Sequence, residues 1–176
     1  MEHGELPAAP TSGVGRDDLR SAMSRFASGV TVVSTVNADG DDVLMTATAI
    51  ASVSLEPPLV LVSVGQGSRM WESLRESDSW AISLLNADQV QVASRFALPG
   101  RVSDRLLLAS LPWHRGPVTG AVLLDGTLAA LECTRYSVTD AGDHTLFVGL
   151  VVAVHVPAGA AGVPLLHFAS RYRELR

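Results

Sequence analysis

Two long β-branched runs separated by one short turn limit the fold of this chain more than any other feature. TLAALECTRYSVT (127–139) and HTLFVGLVVAVHV (144–156) flank DAGD, and a Gly-containing turn of that length joins antiparallel strands. Other strand-like runs come before and after: VTVVSTV, then VLMTATAIASVSL beyond the turn-forming NADGDD, LVLVSV after Pro57 and Pro58, WAISLL, AVLLDG and PLLHFASRY. Strands and helical patterns do not alternate regularly, and no GxGxxG follows a strand, which argues against a doubly wound dinucleotide-binding fold. A small antiparallel sheet removes its exposed edges most simply by closing. The expected class is therefore mainly β with a few helices, arranged as a barrel.

Three helical stretches interrupt the strands. Leu19, Ala22, Met23 and Phe26 recur at i, i+3, i+4 and i+7 between Asp17 and Ser28, one helical face with Asp17 placed to cap it and Gly29 to end it. Arg69 to Glu76 forms a short helix after the GQGS loop. Asn86 with Gln89 three residues on reads as a capping box opening a helix with Val90, Ala93 and Phe96 inward, ending near Pro99. The first sixteen residues mix Pro, Gly, Ser and Ala without an apolar period, so residues 1–16 are expected to be a flexible tail and 17–176 a single domain.

Composition narrows the function. The net charge of −5 includes no basic block, which speaks against a nucleic-acid groove or a membrane-surface anchor. No run approaches a membrane span and the start lacks the pattern of a secretory leader, so a cytoplasmic protein is expected. All thirteen basic residues are Arg, which removes Schiff-base and P-loop lysines from consideration. Cys133 stands alone and reads as a small buried residue; His114, His155 and His167 lack zinc spacing, so no metal site is expected. Neither a GxSxG elbow nor a Cys–His signature nor a carboxylate pair supports a hydrolase. Trp71, Trp80 and Trp113 read as core or interface anchors.

Three clusters carry candidate chemistry, each with two readings. Thr46, Thr48, Ser52 and Ser54 have even spacing, which on one continuous strand puts four hydroxyls on one face, either wet or against a ligand. GQGSRM offers Ser68, Arg69 and helix N-terminal amides, suited to a phosphate or merely to a loop and its cap. DAGDHT sets His144 at a hairpin mouth, where it meets a ligand or only water.

In order, SAMSRFASGVTVVST, MTATAIASVSLEPPLVLVSV, GQGSRMWESL, SRFA, LECTRYSVTDAGDHTLFVGLV and PLLHFASRY resemble the flavin reductase component of two-component flavin-dependent monooxygenases, from about Leu19 to Leu175. The likeness implies a split β-barrel of Greek-key type, a homodimer with a flavin groove near the subunit boundary, exchangeable FMN or FAD, NADH or NADPH as hydride donor, and a monooxygenase that receives the reduced flavin. It implies that Thr46, Ala47 and Thr48 line the flavin ring, that Ser52, Val53 and Ser54 follow the ribityl chain, and that Ser68 and Arg69 approach the phosphate. Phe96 and Ala97 would flank the flavin tail. His144 would be the catalytic residue, orienting or neutralising rather than attacking, and would frame the nicotinamide site with Arg171 and Tyr172. Leu44, Met70 and the DRL at Asp104 to Leu106 depart from the family's usual residues, which blurs FMN against FAD. Two other readings keep the fold: a tightly held FMN, as in relatives of the pyridoxamine-phosphate-oxidase type, and a flavin-binding protein without turnover.

Overall fold

The computed structural model describes residues 13–98, 100, 103–157 and 162–175; residues 1–12 of the expected tail and Pro99 lie outside them. Helix α1 (Arg16–Met23) and a two-residue strand β1 (Ser28–Gly29) lead into β2 (Thr31–Val36), β3 (Asp42–Ala47), β4 (Ile50–Leu55) and β5 (Pro58–Gly65). Helix α2 (Arg69–Glu76), strand β6 (Ser79–Leu84), a 3₁₀ turn (Ala87–Gln89) with α3 (Val90–Ala97), α4 (Asp104–Leu108), β7 (Trp113–Arg115) and β8 (Val122–Leu124) follow. The long hairpin β9 (Ala129–Ala141) and β10 (His144–His155) precedes the closing hairpin β11 (Leu165–Phe168) and β12 (Arg171–Glu174).

Seven strands form one antiparallel sheet in the order β3-β2-β6-β9-β10-β5-β4. Its edge strands β3 and β4 are consecutive in the chain, with only Thr48 and Ala49 between them. At about 4.8 Å per strand a flat sheet would hold those edges roughly 29 Å apart, whereas three Cα–Cα steps of 3.8 Å span at most about 11 Å. The sheet must therefore curl until its edges approach, leaving a barrel split between β3 and β4, and the Ser63 amide of β5 holds the corner by donating to the Ala49 carbonyl at 3.0 Å, which extends the β4–β5 ladder. This is the expected split barrel, reached here from connectivity.

Val33, Val62, Ile82, Cys133 and Phe147 fill the barrel with Met70 and Leu74 of α2. A second cluster, including Val30, Val32, Leu44, Ala93, Phe96 and Leu165, lies on the other side of β2. Strand β2 is thus buried on both faces, which explains its unbroken apolar run. Its hydroxyls are all bonded: Thr31 donates to the Ala47 carbonyl at 2.9 Å, Ser34 to Val122 at 2.6 Å and Thr35 to Ser79 at 2.8 Å.

The local expectations fare unevenly. The Asn86 capping box forms, with the Asn86 amide donating to Gln89 Oε1 at 2.9 Å. Val90, expected inward, is 38% exposed, and Val92 is buried instead; the 3₁₀ turn advances about 120° per residue rather than 100° and so rotates the inward face. α1 is capped by Gly15 rather than Asp17 and stops at Ser24, well before Gly29, so Phe26 falls outside it. The stop follows from Ser24, whose carbonyl accepts the Ala169 amide at 2.7 Å and ties the chain to the closing hairpin. None of α1's residues is buried. Among the described residues, no helix is long and apolar enough to cross a membrane, and no His, Cys, Asp and Glu cluster is arranged to hold a metal.

Candidate active site

Strand β5 organises the site. Its Val60, Val62 and Val64 point into the barrel, so Leu61, Ser63 and Gly65 face outward. His144 pairs with Gly65, and Leu146 with Ser63, across the β10 ladder, which puts His144 on that same outward face two positions along from Ser63. Its Nδ1 lies 2.7 Å from Asp143 Oδ1, and half of the side chain remains in solvent. The hydrogen bond to His144, together with its charge and that of Arg16, holds the Asp143 carboxyl below the usual carboxylate range.

The loop after β5 is bound to this hairpin tip. The Gln66 amide donates to the Asp143 carbonyl at 3.0 Å, and Gln66 Nε2 to that of His144 at 3.4 Å. Gly67 takes the turn with φ 75°. Ser68 then caps α2: Oγ accepts from the Trp71 amide at 3.2 Å and donates to the Gly65 carbonyl at 2.8 Å. Its hydroxyl proton is already committed, so what this segment presents outward is the first-turn backbone amides of α2 and the half-exposed Arg69 guanidinium, 3.7 Å from buried Asp104.

Two cavities flank this arrangement. The first, about 620 Å³, is lined by Thr46, Ser68, Arg69, Phe96 and Ala97, among others. It brings five of the expected residues together from β3, α2 and α3. Thr46 is fixed by donating to the Ala93 carbonyl at 2.7 Å. Ala47 is buried and offers backbone only, its carbonyl already accepting from Thr31. The second cavity, about 560 Å³, is lined by Thr48, Ile50, Leu61 and Ser63, with Met23 and Phe26 beside α1 and Ser170 of the closing turn.

The four-hydroxyl face does not form. The strand breaks at Thr48 and Ala49, and the β4–β5 register slips between Ser52 and Ser54, so the even spacing on which that reading rested is interrupted twice. Thr46 and Thr48 line different cavities, while Ser52 and Val53 are exposed on the edge strand and line neither. Ser54 Oγ accepts its own turn's Glu56 amide at 3.2 Å. Arg171 and Tyr172 also stand apart from His144. Ser170, next to Arg171, lines the second cavity, but Tyr172 faces a separate cleft with Ala87 and Val90 and stacks edge-on against His167 at 6.0 Å. Burial pushes the Tyr172 hydroxyl pKa up, partly offset by its bond with Ser94.

Sequence reasoning missed Ser63 and Asp104. Ser63 is the lone hydroxyl in the run LVLVSV, a signal that was available. Asp104 was noted only as part of the DRL segment, and its role became visible in three dimensions, where its carboxylate accepts the Leu44 amide at 2.9 Å. Elsewhere, Cys133 is fully buried and its thiol is pushed up to about 12, chiefly by burial. It is therefore a packing residue and not a nucleophile.

The model of the flavin reductase like domain matches residues 23–176. The chain is 41% identical over 159 residues to an NADH-dependent flavin reductase from Rhodococcus sp, covering 89% of this chain and 85% of that protein. It is 37% identical over 160 residues to the reductase component of 4-hydroxyphenylacetate 3-monooxygenase from Thermus thermophilus, covering 91% of this chain and 97% of that protein. The crystal structure of the flavin reductase component of a bacterial two-component tryptophan halogenase superposes with a TM-score of 0.84 at 38% identity, covering 92% of this chain and 98% of that one.

Proposed function

The chain belongs to the flavin reductase-like domain family, and from that premise we propose that it is an NAD(P)H-dependent flavin reductase that reduces free FMN or FAD for a partner monooxygenase. The observation that carries this reading is the pair of cavities on either side of the β3–β4 corner, one lined by Thr46 and the other by Thr48. One ends on the N-terminus of α2 with Arg69 and suits a phosphate; the other is apolar, carries the hydroxyls of Thr48 and Ser63, and lies on the face that holds His144.

The residues fit the cofactor. A cavity of about 620 Å³ is within the usual range for small ligands, its walls at Met45, Phe96 and Leu98 are apolar, and its charged end combines a guanidinium with the Arg69 and Met70 amides that open α2. Arg69 and the first turn of α2 would hold the phosphate, and Thr46, Ala47 and Thr48 the ring through backbone groups. His144 would position the nicotinamide from the hairpin tip, with Arg171 entering from the closing turn. The chemistry these cofactors supply when bound is hydride transfer from reduced nicotinamide to flavin, which asks of the protein only close stacking and exclusion of water.

Ser52, Val53 and Ser54 line neither of these two cavities, yet they lie on an edge strand with Val53 50% and Leu55 85% exposed. We infer that a second copy covers this edge and that the enzyme is a homodimer, whose boundary is where these residues would reach a flavin. The deciding experiment is oxidation of NADH and NADPH by purified protein with FMN, FAD or riboflavin added, compared with none. Oxidation that depends on added flavin supports the reading; flavin that binds without any nicotinamide oxidation overturns it.

A further inference from the structure

Thr145 follows His144 on β10 and faces the opposite way. It pairs with Val64 and Asp140 across the two ladders and is fully buried, on the inner face of the sheet with Val64 and Phe147. A hydroxyl without solvent must find its partners inside the protein. Trp71 Nε1 donates to Thr145 Oγ1 at 2.8 Å, and Thr145 Oγ1 donates to Asp140 Oδ1 at 2.6 Å. The direction is forced, because an indole N–H only donates and a carboxylate only accepts. One hydroxyl therefore serves both.

A further residue draws the same groups together. Arg75, one turn after Trp71 on α2, lies 5.0 Å above the Trp71 ring and 3.8 Å from the same Asp140 oxygen. The network thus joins α2, β9 and β10 near the ends that the proposed ligands use. Trp71 is the third residue of α2 and its amide donates to the Ser68 cap, so it stands in the turn whose amides would hold the phosphate. Thr145 is the residue next to His144. The bond from indole to hydroxyl spans the phosphate end and the nicotinamide end of the site. The tie from Gln66 to the hairpin tip lies ahead of the cap, outside the helix.

We propose that Thr145 is a positioning residue for the hydride transfer, which fixes the hairpin tip against α2 so that a flavin phosphate bound at α2 tightens the hold of His144 on the nicotinamide. The inference rests on the reading that places the phosphate at α2 and the nicotinamide at His144. Thr145 lines neither cavity and acts through Trp71 on one side and the His144 backbone on the other. A phosphate on the first turn of α2 steadies Trp71 and, through the hydroxyl, the hairpin tip. A flavin without a phosphate does not. The coupling is a free energy shared by two sites, so it is read as a dependence of NADH binding on the phosphate of the flavin.

The test compares NADH KM at saturating FMN and at saturating riboflavin, in the full-length wild-type protein and in Thr145→Val, Thr145→Ser and Trp71→Phe. Valine keeps the shape of threonine but neither accepts nor donates, serine keeps the hydroxyl, and phenylalanine keeps an aromatic ring without the N–H. In the wild type, KM should be lower with FMN than with riboflavin by about fivefold or more, the low end of typical couplings. Thr145→Val and Trp71→Phe should bring the two KM values to within about twofold of each other, with the loss falling on KM rather than kcat. Thr145→Ser should retain the difference. A residue that only supports the fold would act alike with both flavins. Equal KM values in the wild type, a difference that survives in Thr145→Val and Trp71→Phe, or its loss in Thr145→Ser would each overturn the proposal. If Thr145→Val does not fold, Trp71→Phe decides, since Trp71 is only half-buried. Failure of the wild-type protein to bind FMN would strike the flavin reading and this proposal with it, whereas FMN binding with equal KM values strikes the proposal alone.

Discussion

Arg69 has two duties that pull in different directions. Its guanidinium is 3.7 Å from buried Asp104 and also forms the charged wall of the cavity proposed for the flavin. On the proposed reading Arg69→Ala removes a phosphate contact and loosens α4 at the same time, and only a ratio separates these effects. FMN should lose about 1.5–3 kcal/mol of affinity relative to riboflavin, which lacks the phosphate but feels the same loss of packing; titration of both ligands checks it. His144 offers a sharper contrast. His144→Ala should lower kcat/KM for the nicotinamide by about ten- to a hundredfold with little change in flavin affinity, since the contact belongs to one ligand. Asp140 makes a poor reference for this test although it is on the same turn. It accepts the Thr145 hydroxyl at 2.6 Å, and that hydroxyl accepts Trp71 Nε1 at 2.8 Å, so its removal disturbs α2. Thr139 on exposed β9 is the better neighbour, and Thr139→Ala should leave the kinetics unchanged.

The long hairpin shows what an element's sequence does and does not reveal. Its two strands and turn follow directly from β-branching and the DAGD turn, as does the helix whose limits Arg69–Glu76 needed only Ser68 to define. The interior of the hairpin was opaque. Buried Glu132 on β9 accepts from the Thr119 amide at 2.7 Å, the Thr119 hydroxyl at 2.8 Å and the Val118 amide at 3.0 Å, and lies 2.8 Å from His155 Nε2. None of these partners is a sequence neighbour. Burial alone would raise this carboxyl, but its bonds to Thr119, His155 and Val118 outweigh burial and hold it below the ordinary 4.5. A depressed folded value contributes stability above the unfolded value and loses it as pH falls through the folded one. Chemical denaturation should therefore show stability falling below about pH 4.5, and Glu132→Gln should flatten that fall while lowering stability at neutral pH. Gly149 is another fact of tertiary contact, for a Cβ there would come within 2.5 Å of the Trp80 ring and 2.9 Å of Cys133 Cβ. Gly149→Ala should cost about 1–3 kcal/mol by overpacking, as a shift in denaturation midpoint with unchanged slope. The hydroxyls of Thr46 to Ser54 mark the limit on the functional side: their spacing was legible, but the break at Thr48 and the slip at Val53 that divide them depend on which strands pair.

At the scale of the molecule, what the single chain leaves uncovered is itself informative. The helical period of α1 normally signals burial, yet Leu19 is 58% and Met23 55% exposed, and Phe26 just beyond it is 69% exposed. The same holds for the β4 edge at Val53 and Leu55. Phe26 and Met23 line the cavity that also contains Thr48 and Ser63, so one wall of that cavity is apolar and open. Scattered apolar residues on a surface mean little, but a helix face and a neighbouring sheet edge left bare beside a cavity are the pattern of an interface. A homodimer that covers both would bury about 2,000 Å² or more and would close that wall against water. Light scattering at micromolar concentration should accordingly find a dimer. Because Leu55 and Phe26 are exposed in the protomer, Leu55→Asp and Phe26→Asp should leave its fold intact by circular dichroism while shifting the mass towards that of a monomer. If the partner completes the site, activity should fall in proportion to the dimer lost and recover as protein concentration is raised. An active monomer at low micromolar concentration would show that one chain suffices, and Ser52, Val53 and Ser54 would then have no route to the flavin.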